Sequence, residues 1–170
     1  MELSVFAKIG VRMQYTRLTK EQLEELHPEF INFLATQTIT AAEWEDIKTN
    51  KPKVAEEEID IFSDLVWEGV LTKAEFLEHI SPNQMHLFQL GDDKMTLIAV
   101  KVNNEEIDIT TEDGYNWLKE NLGDDQVVFL TASKDYSEKP NMDKFNLIQQ
   151  GAIITKGDLY RWFGRFVEVK

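Results

Sequence analysis

Cysteine is missing from the 170 residues altogether, so disulfides, thiolate metal ligands and cysteine nucleophiles are excluded. That absence fits a reducing compartment. No apolar run approaches the roughly 20 residues needed to cross a bilayer. The amino end, MELSVFAKIGVR, does not read as a signal peptide, because Lys8 interrupts its apolar stretch and no small-residue cleavage site follows. Cytoplasmic placement is the default expectation. The eight glycines are scattered, and there is no Gly-rich phosphate loop, GxSxG elbow, HExxH helix or calcium loop. Ser63 and Ser133 have no visible base partner, and nothing implies a cofactor.

Positive charge is also scarce. Eighteen Lys and Arg stand against 31 Asp and Glu, for a net charge of −13. Residues 13–83 carry 15 acids and 6 bases, whereas residues 135–170 reverse the balance with 5 acids and 6 bases. A field of this sign repels phosphate backbones and anionic membranes, so neither nucleic acid nor membrane is an expected partner. Such a field would favour a basic protein partner or simply keep the chain soluble, the commoner role of such charge.

The most informative stretch is Val54–Leu71, VAEEEIDIFSDLVWEGVL. Ala55, Ile59, Phe62, Val66 and Val70 recur at the spacing of one helix face, and Val54, Ile61 and Leu65 widen it. Glu57, Asp60, Asp64 and Glu68 share another arc, an acidic ridge expected to meet water. Glu58 projects towards the apolar arc, but its place in the first turn predicts a solvated carboxylate.

Four segments share a helix-start pattern, an apolar residue, Thr, two residues, an acid or amide, then another apolar residue. Thr19, Thr40, Thr72 and Thr155 are the expected caps, at irregular spacings of 21, 32 and 83 residues, which makes them punctuation and not a repeat. His27-Pro28 should kink the first helix. After Asn83 the period shortens, and Gln84–Leu90, Lys94–Val102, Glu105–Ile109 and Val127–Leu130 read as strands, with an Asn103-Asn104 hairpin turn. Helices are expected near Glu112–Asn121, Met142–Gln150 and Lys156–Phe166, the second after a polar loop over Lys134–Asn141.

The expected fold is α+β, a helical N-terminal half packed on or beside a small, mostly antiparallel four-stranded sheet with C-terminal helices. Residues 13–170 form a single domain of helical half (13–83), sheet-containing half (84–134) and loop with C-terminal helices (135–170), a length that buries roughly 70% of the unfolded surface. Residues 1–12 read as an extension preceding a start at Met13, or as an edge strand over Leu3–Ile9.

Two groups of residues are the candidate sites. Asp60, Asp64 and Glu68 with His86 could ligate a divalent metal, although carboxylates four apart more often form a solvated face. Glu57, Asp60, Asp64 and Glu68, together with Tyr160, Arg161, Trp162 and Arg165 of the aromatic C-terminal segment, could meet a protein partner, while core completion is the plainer role for the aromatics. The first functional reading is a non-enzymatic acidic protein-interaction module. The alternatives are a small metal-assisted hydrolase and a structural homodimer.

The stretches YTRLTKEQLEELHPEFINFLATQTITA (Tyr15–Ala41), DIFSDLVWEGVL (Asp60–Leu71), QMHLF (Gln84–Phe88) and VKVNNEEIDIT (Val100–Thr110) carry a resemblance. They resemble a small family of uncharacterised bacterial proteins, a conserved domain of unknown function, over about Met13–Phe166. The resemblance implies no activity, cofactor or catalytic residue.

Overall fold

The computed structural model describes residues 13–168, so the Leu3–Ile9 strand expectation lies outside the described residues. The architecture is α+β, with N-terminal helices followed by a five-stranded antiparallel sheet and interleaved C-terminal helices. Residues up to Val70 and residues from Leu71 onward form two compact units.

The first unit is helical. Helices α1 (Lys20–Glu25) and α2 (His27–Thr36) are separated at Leu26, the break that Pro28 predicts. Helices α3 (Ala41–Asn50) and α4 (Pro52–Lys73) follow, the last turn of α4 belonging to the second unit. Thr19 and Thr40 form complete capping boxes with Gln22 and Glu43. The core is an aromatic cluster in which Phe30 meets Phe62 at 5.0 Å and Trp44 at 5.2 Å between ring centroids, both edge-on. Leu18, Phe33, Leu34 and Ala55 complete it.

The second unit is built on a sheet in the order β4-β3-β2-β1-β5. The strands are β1 (Phe76–Ser81), β2 (Gln84–Leu90), β3 (Lys94–Val102), β4 (Val127–Asp135) and β5 (Ile153–Thr155). Period-two alternation sends Met85 and Leu87 of β2 and Ile98 and Val100 of β3 into a fully buried core on one face. Leu118 of α5 (Glu112–Glu120) and Tyr160 and Phe163 of α7 (Asp158–Phe163) pack in the same core. On the other face Leu77 and Leu90 pack with Leu147 and Ile148 of α6 (Pro140–Gln149).

Several expectations are corrected. Thr72 does not start a helix. It lies in the last turn of α4, and Phe76 and Leu77, both buried, open strand β1 instead. The sheet thereby gains one strand and a second in β5, and it loses the one expected over Glu105–Ile109, so five strands replace the expected four. Thr155 ends β5, and α7 is capped by Gly157 at φ +83°, where a Cβ would stand 2.5 Å from the Phe76 ring.

Glu105–Ile109 is not a strand. Asn104 folds it into a turn by accepting from the Glu106 amide at 2.9 Å, and Ile109 is buried as an anchor of that loop. Alternating isoleucines there report anchor points, not pleating. Strand β4 runs on to Asp135 and α6 begins at Pro140, which shortens the polar loop to residues 136–139.

Gly114, at the start of α5, packs against the backbone of this loop, and a Cβ there would stand 1.8 Å from the Asp108 oxygen. Gly114→Ala should therefore force the loop away and lower stability by about 1–3 kcal/mol. The readout is a lower urea midpoint with an unchanged slope, and an unchanged midpoint would contradict the close contact.

Candidate functional site

The acidic ridge of α4 is occupied by the chain itself. Asp64 accepts from the amides of Gln14 at 2.8 Å and Tyr15 at 3.0 Å. The Tyr15 hydroxyl donates to Glu68, and Arg17 grips Asp60 with two donors at 2.5 and 3.0 Å. Burial, then the Glu68 hydrogen bond, push the Tyr15 pKa well above its ordinary value. The Arg17–Asp60 pair is largely exposed and contributes no more than about 1 kcal/mol. Glu57 remains exposed.

Beneath this line sits Ser63, fully buried, whose hydroxyl accepts from the Leu18 amide at 3.0 Å and donates to the Ile59 carbonyl at 2.7 Å. Residues 14–18 are thus fastened to α4 by a buried hydroxyl and a row of carboxylates. Asp60, Asp64 and Glu68 lie one turn apart on α4, and together they hold residues 14–17.

Glu58 reverses its expectation. It is only 9% exposed, and Oε2 has no hydrogen-bond partner among the described residues. Burial, with a smaller push from Glu57, raises its pKa. Because α4 begins at Pro52, Glu58 lies beyond its first turn, and it follows Ala55 by three residues on the buried side of the helix.

His86 lies on β2 directly across from His79 of β1, with ring centroids 6.3 Å apart. Burial, and then the charge of His79, lower its pKa. Among the described residues no three His, Asp or Glu side chains are grouped so that they could hold a metal ion.

The C-terminal candidates divide between core and surface. Tyr160 is buried with its hydroxyl 2.7 Å from Thr96 Oγ1, and Trp162 packs edge-on against Phe163. Arg161 donates to the Lys156 carbonyl and to Asp158 and lies over the Phe76 ring. Arg165 is exposed.

Pattern reading missed a cleft in the second unit. It lies between α6 and strands β2–β4 and encloses about 400 Å³. Phe88, Met95, Leu97, Ala132 and Leu147 supply its apolar surface, and Lys134, Asp143, Asn146 and Gln150 stand at its edge. Asp143 is held by the Ser137 amide and hydroxyl at 2.7 and 2.8 Å. The floor is a cross-strand row, since Ala132 pairs with Leu97 and Leu97 with Phe88. Beside it runs a second row, Leu130, Ala99, His86 and His79. Leu130 is 59% exposed and Val128, on the same face, 45%. A chemically unremarkable composition hid this cleft. Its only trace in the sequence is the uncharged run VVFLTAS over Val127–Ser133.

Two substitutions separate the roles in the first unit. Ser63→Ala leaves the Leu18 amide without its acceptor and should cost about 1–3 kcal/mol in a urea titration. For Glu58 the folded pKa lies above the ordinary 4.5, so the native state holds the proton longer than the unfolded chain. Stability attributable to this group is greatest below 4.5 and falls as pH rises through the folded value. The advantage of Glu58→Gln over the native protein should therefore grow across that interval and then level off. A constant difference at every pH would show a solvated carboxylate.

No curated protein and no solved structure matches the chain. A family model does match, across residues 13–168. Its span takes in the strap, the α4 carboxylates, the sheet and the cleft, and the chain belongs to that family, a family of unknown function (DUF6495).

Proposed function

We propose that the chain is an acidic protein-interaction module that receives its partner on the open side of the sheet, at the cleft beside α6. The supporting observation is that cleft, about 400 Å³ with an apolar floor, continuing onto the exposed side chains of Leu130 and Val128. Size and lining fit more than one apolar side chain of a partner, with polar lining groups to orient them. Covering Leu130 and Val128 as well would contribute roughly 1–2 kcal/mol each.

The carboxylates of α4 are a weaker docking surface than the cleft, because three of the four already hold residues 14–17. Their charge still counts at long range. With a net charge of −13 the chain attracts a basic partner and speeds the encounter, an effect that salt suppresses.

Placing a photo-crosslinking amino acid at Ala132, and in a control protein at exposed Asn116 of α5, tests the reading in the native cell. A discrete protein adduct is expected from position 132 and not from position 116. Ala132→Trp, which fills the cleft, should remove an adduct formed through a crosslinker at position 130. Equal adducts from positions 132 and 116, or none from 132, would refute docking at this face.

A further inference from the structure

Resting on the docking reading above, we infer how the partner binds: as an extended peptide segment laid along α6, its backbone held by the side-chain amides of Asn146 and Gln150 and its alternate apolar side chains in the cleft. Asn146, Leu147 and Gln150 line the cleft from the α6 side. Asn146 lies in α6, and Gln150 is its C-cap with right-handed helical dihedrals, so the two stand about one turn apart on one side of the helix. Neither side chain makes a hydrogen bond to any described residue, whereas Asn141 of the same helix donates to Thr72 at 3.0 Å.

The chemistry of these groups selects the ligand. A side-chain amide carries donors and an acceptor together, the same combination that one residue of an extended backbone presents. Asp143, earlier on the same side of α6, already accepts from the Ser137 amide and hydroxyl, so the two neutral amides are the groups α6 has left to offer. A partner helix would arrive with its peptide groups already paired and would have no use for them. An extended segment covering an apolar floor must find partners for its N–H and C=O groups, because leaving one unpaired forfeits its hydration without return.

The spacing agrees. Residues four apart on a helix are separated by about 6.0 Å along its axis. In an extended chain the N–H and C=O of one residue point to one side and those of the next to the other, so a residue and the next but one present the same edge about 6.6–6.8 Å apart. One residue of the segment therefore meets Asn146 and the next but one meets Gln150, within the reach of flexible side chains. Side chains alternate across this backbone, and every second one faces the floor of Phe88, Leu97 and Ala132. A cleft of about 400 Å³ takes more than one of them. The side chains between them face water and are basic, because a field of net charge −13 draws positive charge and the outward position leaves it hydrated. None of these contacts uses the backbone of β4.

The test uses nonapeptides selected on the full chain from a displayed random library. A selected peptide is resynthesised with each amide in turn replaced by an ester, which removes one N–H donor and keeps the shape of the chain. Affinity read by fluorescence anisotropy should fall about threefold or more at two positions, two residues apart. Asn146→Ala combined with Gln150→Ala, both at exposed positions, should weaken the unmodified peptide about tenfold and erase the two ester losses. Ala132→Trp, its fold checked by circular dichroism, should weaken the unmodified peptide about tenfold or more, because it fills the floor.

A peptide that Ala132→Trp weakens, but that shows no paired ester loss or keeps that loss in the double alanine variant, would overturn the grip on α6 and leave docking at the cleft standing. Recovery of no binding peptide would overturn the proposal as well. Peptides indifferent to Ala132→Trp, together with no adduct from position 132 in the cell, would remove both the proposal and the docking reading.

Discussion

The pleat of β2 and β3 is the constraint from which the second unit follows. Four residues, Met85, Leu87, Ile98 and Val100, must share one dry face, and α5 and α7 supply the side chains that complete it. Alternation then leaves no choice for His86, Phe88, Leu97 and Ala99, which go to the opposite face. There α6 packs over Leu77 and Leu90 but stands off from Ala132, and the cleft is what remains between them. The candidate site is thus a by-product of where a single helix stops covering a sheet.

The first unit solves a different problem. Its apolar face is closed by aromatic edges around Phe30 and Phe62, while the carboxylates and Ser63 of α4 fasten residues 14–18. Charge and burial are divided along this strap. Arg17–Asp60 is exposed and worth little, whereas the Ser63 hydroxyl is buried with both its donor and its acceptor roles used. A row of acids that looks like a surface for another molecule is first of all a surface for residues 14–17.

Legibility in the sequence followed how local the cause was. Thr19 and Thr40 cap helices as their spacing predicts, because a capping box is complete within four residues. The same pattern misled at Thr72, where burial of Phe76 and Leu77 on both faces of a sheet outweighs one cap. At Thr155 a left-handed Gly157 intervenes and takes the cap position. Ile107 and Ile109 alternate like a strand, yet they belong to a loop turned by Asn104. Glu58 shows the same limit for a single side chain, since position in a helical turn does not reveal which side of the helix other elements cover.

By itself the sequence determined the element types that rest on short-range chemistry: the helix starts at Thr19 and Thr40 and the break before Pro28. It also determined the acidic field, which depends on composition alone. Only the tertiary structure decided that the α4 carboxylates hold residues 14–17, that Glu58 is buried, and that Ala132, Leu97 and Phe88 line up under the edge of α6. Each of these brings together groups far apart in the chain, or depends on what covers a face, and that information is carried by no local spacing.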